Sequence, residues 1–358
     1  MTWRFTAFLG ANLPIGGVLR TVGLTLLIVL LIACAPAVSS PISPSPRVET
    51  PSPTFSPLVA PLTPSFTPSA TEKLFPTPTV TATPRPVVPA FRHIVILIFE
   101  NREITRVIGN PQMPVYNRWA SDYTLLTRYY AITRPSLPNY LALIGGDTFG
   151  VRTNCIDCYI NATSLPDLIE ASGRTWKTYQ EAMPQPCYLQ YTRRYAPKHN
   201  PFIYFDPIRT DTERCQNHVV ALSDLENDLA TGQLPDFAFI TPDLCNSGHD
   251  CGLDVVDAWV DTWLQRLWAY PTLAKEGLII LTWDEGQSEQ GCCGFEPGGG
   301  RVATVLISSW VKRGFQDDTP YNHYSLLKTI ATAWNLPLLG HAADAQTPLI
   351  VAPWEWPE

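Results

Sequence analysis

The chain has 358 residues and a formal net charge of −7, with 45% of its residues hydrophobic and 16% charged. This length exceeds that of a small domain and allows one large hydrophobic core. The negative net charge, together with the lack of any run of Lys and Arg, argues against nucleic acid as the main partner.

Residues 1–33 have the features of an export signal. Arg4 and Arg20 precede an apolar run over 22–33, which leads directly into Cys34. The Leu-Ile-Ala-Cys sequence resembles a bacterial lipobox, in which the cysteine becomes the lipidated first residue of the mature protein. The alternative is a plain transmembrane anchor, although the run is short for a full span. Both interpretations place the rest of the chain outside the cytoplasm, at the cell surface or the periplasmic face of a bacterial membrane.

Residues 34–89 are dominated by Pro, Ser and Thr and contain little charge. Such a segment cannot bury enough apolar surface to offset the entropy lost on ordering, so we expect a disordered, partly polyproline tether. A PxxP-type ligand is the alternative to this spacer role. Residues 90–358 have the size of one large α/β domain, which we expect to be catalytic.

The first predicted strand of this domain is an apolar, β-branched run over 94–99. Its composition is typical of a strand buried on both faces of a mostly parallel sheet. The run ends in Glu100 and Asn101. Because ligands of open α/β sheets bind outside the carboxyl ends of strands, two oxygen-bearing side chains here indicate a catalytic rim. The alternative is a strand that simply reaches water.

The next elements lead to a candidate nucleophile. We predict a helix over 113–122, a short strand over 125–132 for which an edge position is one option, and a helix ending at the glycines 145–146. Pro135 disfavours helical structure before it, which sets Ser136 at or near the helix N-cap. A serine there can simply cap the helix. It can also stand where backbone N–H groups and the helix dipole stabilise an anion, which suits attack on a phosphate.

Eight cysteines follow Cys34, and an even number in an exported domain favours disulfides over free thiols. Sequence alone does not fix their connectivity. Short loops suggest two of the pairs and leave two more, as follows: Cys155–Cys158, Cys245–Cys251, Cys187–Cys215 and a vicinal Cys292–Cys293. Zinc binding is the alternative, although no pair of histidines has finger-like spacing.

Two later turns carry candidate oxyanion-binding side chains. Lys198 and His199 lie in a Lys-His-Asn-Pro turn, which provides two cationic or donor groups at one place. His249 follows a predicted strand over 236–241, inside the loop that a Cys245–Cys251 disulfide would close. Such a loop would hold the imidazole rigidly over a site. The alternative for each histidine is a surface position or a satisfied place in the core.

A second buried strand, predicted over 277–283, ends in Asp284 and Glu285. This repeats the pattern of the first strand, and two such strand endings in one domain are stronger evidence for a site than one. Side chains with oxygen ligands could converge on one divalent cation, with Mg, Mn, Ca and Zn as options. The four candidate ligands are Glu100, Asn101, Asp284 and Glu285.

Three further features complete the sequence-based predictions. The Gly-rich stretch 286–300 predicts a loop over the site. His323 begins a predicted helix and could either face the site or cap the helix. Asp254, Asp257 and Asp261 have helical spacing, and we expect them to form a solvated face without a catalytic role.

Six motifs follow one another along the domain: Phe-Glu-Asn, Pro-Ser-Leu-Pro-Asn-Tyr, Lys-His-Asn-Pro-Phe, Asp-Leu-Cys-Asn-Ser-Gly-His-Asp-Cys, Thr-Trp-Asp-Glu-Gly and Asn-His-Tyr-Ser-Leu-Leu. As an ordered set over residues 90–348, they resemble the phosphoesterase family of bacterial acid phosphatases and phospholipases C. The resemblance implies an alkaline-phosphatase-like α/β fold, with a mostly parallel central sheet flanked by helices on both faces.

The resemblance also assigns roles position by position. It implies that Ser136 is the nucleophile and that the four oxygen ligands named above bind the metal. His199 and His249 would contact the phosphoryl oxygens, with Lys198 beside them, and the candidate phosphate-binding set also includes Arg134 and His323. Many relatives carry His where this chain has Arg134. That residue is therefore either peripheral or a phosphate ligand of another kind.

The chemistry expected from these residues is hydrolysis through a phosphoserine intermediate. A metal would lower the pKa of the Ser136 hydroxyl and neutralise charge on the phosphoryl group. Protonated His199 and His249 would bind phosphate better in mild acid, which predicts an acidic optimum.

The sequence leaves the substrate open between a small-molecule and a lipid phosphate ester. A phospholipase C, another phosphodiesterase or a sulfatase would use the same metal and nucleophile. The chain is short for such phospholipases and shows no extra lipid-binding domain, which favours small soluble phosphates. A surface lipoprotein that binds a ligand without catalysis is the non-enzyme alternative. The oligomeric state is also open.

Overall fold

The computed structural model describes residues 86–356. The predicted signal peptide, the lipidated Cys34 and nearly all of the predicted tether therefore lie outside the described residues. Within 86–356, no helix is both long enough and apolar enough to cross a membrane. Val88 and Phe91 are both buried in the core, so tight packing begins slightly before the predicted domain boundary at residue 90.

In this part of the chain, nine strands form one sheet. In chain order they are β1 Ile94–Phe99, β2 Thr124–Tyr130, β3 Trp176–Gln180, β4 Val219–Ala221, β5 Phe237–Thr241, β6 Leu278–Trp283, β7 Arg301–Ile307, β8 Phe315–Asp317 and β9 Tyr321–Asn322. Their spatial order is β4-β3-β5-β1-β6-β7-β2-β8, and β9 also pairs with β2. Strand β7 is antiparallel to β6 and β2, whereas the other pairs are parallel. The mostly parallel sheet predicted from the sequence is confirmed.

Helices surround the sheet. The α-helices are α1 Ile104–Val107, α2 Pro114–Asp122, α3 Ser136–Gly145, α4 Leu165–Ala171, α5 Asp206–Arg209, α6 Thr212–His218, α7 Leu222–Thr231, α8 Leu253–Trp268, α9 Pro271–Glu276 and α10 His323–Ala333. Short 3₁₀ helices cover Pro197–His199, Pro201–Tyr204 and Gly340–Ala343.

The register of the central strands shows which helices cover which face. Successive residues of a strand point to opposite faces of the sheet, and Phe239 of β5 is in register with Ile96 of β1. Phe239 packs against Tyr140 of α3, whereas Phe99 of β1 points the other way and packs against Trp259 of α8. Helices α3 and α8 therefore cover opposite faces, as predicted for this fold class.

Helix α3 is buried at every position from Ser136 to Gly145. A helix that is buried on all sides lies inside the protein, and the neighbours of α3 include α4, α10 and the 3₁₀ turns over 197–204. It ends at Gly146, which adopts a left-handed conformation with φ 77°. The predicted end of the helix at the two glycines is confirmed.

Two sequence-based expectations about this scaffold are wrong. Strand β2 is not an edge strand, because it lies between β7 and β8. Asp257 is not part of a solvated face: it is 5% exposed, and its carboxylate accepts hydrogen bonds from the backbone N–H groups of Val115 and Tyr116. These groups belong to the first turn of α2, whose N-cap residue Met113 supplies no capping hydrogen bond. The periodicity identified a helix face but could not show what packs against it.

The disulfides match the suggested pairing. The four bonds are Cys155–Cys158, Cys187–Cys215, Cys245–Cys251 and the vicinal Cys292–Cys293. All eight cysteines after Cys34 are thus used in disulfides, so none of them is a thiolate ligand for zinc.

Candidate active site

The two acidic strand endings meet at one edge of the sheet. Strands β1 and β6 pair in parallel with Phe99 opposite Trp283, so the next residues, Glu100 and Asp284, stand side by side. The Asp284 N–H donates to the Phe99 carbonyl at 2.9 Å, and the Asn101 N–H donates to Asp284 Oδ1 at 3.0 Å. Both carboxylates are 0% exposed. Because residue 100 shares its parity with Ile96, Glu100 faces the side of the sheet that α3 covers.

Ser136 lies directly against these acids. Its Oγ donates a hydrogen bond to Glu100 Oε2 at 3.1 Å. Ser136 is the first residue of α3 and not its N-cap, which is Pro135. The next N–H, of Leu137, donates to Asn154 Oδ1 at 3.0 Å and so is not free for an anion. The serine thus lies near the N-cap, as expected, and its hydroxyl is directed to a carboxylate.

Tyr140 was not among the predicted site residues. It follows Ser136 by four positions on α3, which places both side chains on the same face of the helix. Its hydroxyl donates to Glu100 Oε1, and its ring stacks on the imidazole of His199 with centroids 5.6 Å apart. The spacing between the serine and the tyrosine was the signal that could have found it.

Burial and mutual repulsion make these acids reluctant to ionise without a cation. Burial raises the pKa of Glu100. Burial and the neighbouring Glu100 carboxylate raise the pKa of Asp284 well above its ordinary value. Burial, Asp284 and Glu100 together raise the pKa of Glu285 to about 9. A group of buried carboxyls with raised pKa values beside a serine hydroxyl is typical of a functional site.

Three of the predicted metal ligands carry side-chain oxygens that have no hydrogen-bond partner. Asn101 Oδ1, Asp284 Oδ2 and Glu285 Oε2 are buried and have no hydrogen-bond partner. Such orphaned oxygens are the donors that hard divalent cations prefer. In the placement seen here, no three His, Cys, Asp or Glu side chains of residues 86–356 are grouped so as to hold an ion. The donor chemistry thus fits an oxygen-seeking cation, with the Asn101 amide beside the acids.

The opposite wall of the site comes from loops. The 3₁₀ turn Pro197–His199 presents His199, whose Nε2 lies 3.1 Å from Glu100 Oε2 without the alignment of a hydrogen bond. Lys198 Nζ lies 3.1 Å from His249 Nε2, and His249 Nδ1 lies 2.6 Å from Asp250 Oδ1. Because a lysine ammonium can only donate, Nε2 of His249 accepts and its Nδ1–H donates to Asp250. The structure thus brings Lys198, His199 and His249 together, as predicted.

The other two phosphate-binding candidates occupy different places. Arg134 is exposed, and its Nη1 donates to the Gln287 carbonyl at 3.0 Å. His323 is fully buried: its Nε2 lies 2.7 Å from the Asp284 carbonyl and its Nδ1 lies 3.1 Å from the Tyr129 hydroxyl. Its helix is capped by Asn322. With both ring nitrogens engaged, His323 neither caps the helix nor faces the cleft, but supports the backbone of Asp284.

Glu103 is a second residue that the sequence did not reveal. Its Oε2 accepts hydrogen bonds from the N–H groups of Gln287 and Ser288, and its Oε1 accepts from Ser288 Oγ and the Arg301 N–H. One carboxylate thus fastens both ends of the loop 286–300. A Cβ on Gly286 would stand 2.4 Å from Glu103 Oε2, so a larger residue there would displace the Glu103 carboxylate from its present contacts.

Known proteins resemble this chain in sequence and in fold. A family model described as the Phosphoesterase family matches residues 110–337. An alkaline phosphatase superfamily structure from Vibrio parahaemolyticus covers 74% of this chain and 72% of its own, with a TM-score of 0.50 and 10% identity. At that identity the likeness shows the fold alone.

Curated relatives come from fungi and from a bacterium, so the bacterial restriction in the sequence-based resemblance does not hold. A probable acid phosphatase of Kluyveromyces lactis is 32% identical over 277 residues, covering 74% of this chain and 63% of that protein. The acid phosphatase of Aspergillus fumigatus is 34% identical, covering 62% and 51%. A phosphatidylinositol-3-phosphatase of Mycobacterium tuberculosis is 31% identical, covering 72% and 81%. This chain thus spans only half to two thirds of the two fungal enzymes.

Proposed function

Because the chain belongs to the Phosphoesterase family, we propose that it is a metal-dependent, acid phosphatase-like phosphoesterase that acts outside the cytoplasm through a phosphoserine intermediate. One observation carries the proposal: the buried hydroxyl of Ser136 donates to Glu100 at the edge where β1 and β6 deliver their acids. A hydroxyl within hydrogen-bond reach of a carboxylate is the arrangement of an activated nucleophile.

The proposed reaction uses two displacements. Ser136 Oγ attacks phosphorus, its proton passes along its hydrogen bond to Glu100, and the alcohol leaves with one proton. Water then cleaves the phosphoserine, which returns the serine hydroxyl and releases phosphate. Tyr140 donates to the other oxygen of Glu100 and keeps this carboxylate oriented toward the serine. The alcohol takes its proton from solvent in the first displacement. In the second, Glu100 returns the serine's proton and the attacking water loses one proton to solvent, so the protons balance over the cycle.

A divalent cation completes the proposal. Asn101, Asp284 and Glu285 would hold it through their orphaned oxygens, together with Glu100. When bound, it would neutralise the acids and stabilise charge on the phosphoryl group. His323 positions this set by bonding to the Asp284 carbonyl.

Donors on the loop wall would bind the phosphoryl oxygens. Lys198 and the unpartnered Nε2 of His199 are the donors on that side, and Arg134 lines the neighbouring cavity with Glu285. His249 accepts from Lys198 and donates to Asp250, so it would act by orienting the Lys198 ammonium. The expected reason for an acidic optimum needs correction at His199. Burial, Lys198 and His249 lower the pKa of His199 well below its ordinary value, so it is neutral in mild acid before substrate binds. The acidic optimum stays a prediction, but protonation of free His199 no longer supports it.

Substitution of the nucleophile tests the proposal. Ser136→Ala should lower kcat for p-nitrophenyl phosphate by about a thousandfold or more, because the covalent route is removed. Ser121→Ala is the matched control, since that exposed serine on α2 donates only to a backbone carbonyl. Wild-type turnover by the Ser136 variant would show that the nucleophile is misassigned. A panel of monoester, diester and sulfate substrates would separate a phosphatase from a phospholipase C, another phosphodiesterase or a sulfatase.

We also propose that the enzyme is exported and anchored through lipidated Cys34. The disulfides of the described domain support an oxidising compartment. Cys34→Ser should move the protein from the membrane fraction to the soluble fraction, and unchanged membrane retention would argue for a transmembrane anchor.

A further inference from the structure

Two adjoining cavities open at the loop that precedes the proposed nucleophile. The first has a volume of about 540 Å³ and is lined by Glu285, Arg134 and parts of the loop 286–300. The second, of about 340 Å³, shares Thr133 and Arg134 with the first. We call the second cavity the side recess; its walls include Thr133, Arg134, Arg152, Phe295, Tyr324 and His341. Since Arg134 precedes Ser136 by two residues, the side recess borders the loop that carries the serine.

The floor of the side recess is aromatic and fixed. The ring centroids of Phe295 and Tyr324 are 4.8 Å apart, and those of Phe295 and His341 are 4.9 Å apart. Tyr324 is 1% exposed and packs with buried Ile132. Such a floor can receive an apolar or ring-shaped group without prior rearrangement.

The acidic and basic side chains around the side recess differ in whether they form ion pairs. His341 Nδ1 lies 2.7 Å from Asp344 Oδ2, and its Nε2 lies 4.0 Å from Asp147 Oδ1. Asp147 also accepts a hydrogen bond from the Phe149 N–H. By contrast, within residues 86–356 neither Arg134 nor Arg152 forms an ion pair, whereas arginines such as Arg194, Arg209 and Arg214 do. Asp147, the carboxylate on the recess wall, thus lies beside the imidazole of His341, whereas the two guanidinium groups have no carboxylate at ion-pair distance among residues 86–356.

We propose that the side recess receives the leaving alcohol of the substrate and that Arg152 binds a second anionic group on that alcohol. The substrate class is then a phosphate monoester whose alcohol carries a carboxylate or a further phosphate. A planar guanidinium binds both groups through paired N–H donors, and the aromatic floor contacts the carbon body between the two anions. This inference rests on the proposed phosphoesterase function.

The test compares two substrates that differ by one charge, phenyl phosphate and 4-carboxyphenyl phosphate. Arg152→Ala should lower kcat/KM for the carboxylated substrate about fivefold, as expected for a partly solvated charge pair, and leave phenyl phosphate unchanged. Arg152→Lys should recover part of the loss because it keeps the positive charge. Arg118→Ala on α2 is the control for loss of one surface charge, and it should change neither substrate.

The possible results distinguish failure of the anion subsite from failure of the proposed phosphoesterase function. Equal effects of Arg152→Ala on both substrates, or no effect on either, would overturn the anion subsite while leaving the phosphoesterase proposal intact. If the wild-type enzyme hydrolyses neither substrate, the proposed function fails and the subsite fails with it.

Discussion

The two walls of the active site are built in different ways. On the sheet wall, Glu100 and Asp284 directly follow two central strands, and the pairing of β1 with β6 sets them side by side. On the loop wall, Lys198, His199 and His249 stand on a 3₁₀ turn and a disulfide-closed loop. The sheet wall depends on strand register, which a single substitution hardly moves. The loop wall depends on particular hydrogen bonds, so its geometry should be easier to disturb.

The largest expected effect lies on the sheet wall. Asp284→Asn keeps the shape of the side chain but removes its charge, so kcat should fall at least about a hundredfold. Bound divalent metal, measured by mass spectrometry of the purified protein, should fall as well. Asp254→Asn, an exposed acid on α8, is the control. Full activity of the Asp284 variant with normal metal content would remove Asp284 from the proposed metal site.

An intermediate effect is expected where a loop is fastened to the sheet wall. Glu103→Ala removes the acceptor for both ends of the loop 286–300, which should shift Glu285 and lower kcat/KM about ten- to a hundredfold. Glu103→Gln should lose less, because its amide oxygen still accepts hydrogen bonds. Faster amide hydrogen exchange confined to the loop would separate this positioning role from general destabilisation.

Glu296→Ala supplies the matched control for that experiment, since this exposed acid lies on the same loop. If Glu103→Ala and Glu296→Ala behave alike in both assays, the fastening role of Glu103 is wrong.

The smallest expected effect lies away from both walls. Asp257→Ala removes the cap of α2, which should lower the free energy of unfolding by about 1–2 kcal/mol. The Tm should then fall by roughly 2–4 °C per kcal/mol for a domain of this size, with kcat unchanged. Thermal unfolding of Asp261→Ala, a more exposed acid on the same helix, provides the comparison. A reduced kcat with an unchanged Tm would mean that α2 communicates with the site.

The sheet wall could be predicted from the sequence because it follows from local patterns. A buried strand gives an unbroken apolar run, and parallel strands place their carboxyl ends at one edge, so Glu100 and Asp284 were expected to meet. The disulfides were also suggested correctly, since short spacings left few pairings. Lys198, His199 and His249 were proposed from residue types and from the family resemblance; the structure places them together, and their roles stay predictions.

The positioning residues could not be predicted, because their partners are distant in sequence. Glu103 bonds to residues 287, 288 and 301, and nothing in its local sequence indicates those contacts. Asp257 looked like a surface residue because periodicity does not show that α2 packs there. His323 looked like a site residue, and only the fold shows that it supports Asp284 from behind.

Helix α3 has no solvent-exposed side, and this limits how the protein could be re-engineered. Libraries that vary this helix would mostly return unfolded chains, since each of its positions fills a space within the interior. Variation for new leaving groups belongs instead at the exposed positions of 147–152 and 289–297, which lie outside the contacts of Glu103 and can change while the serine keeps its place.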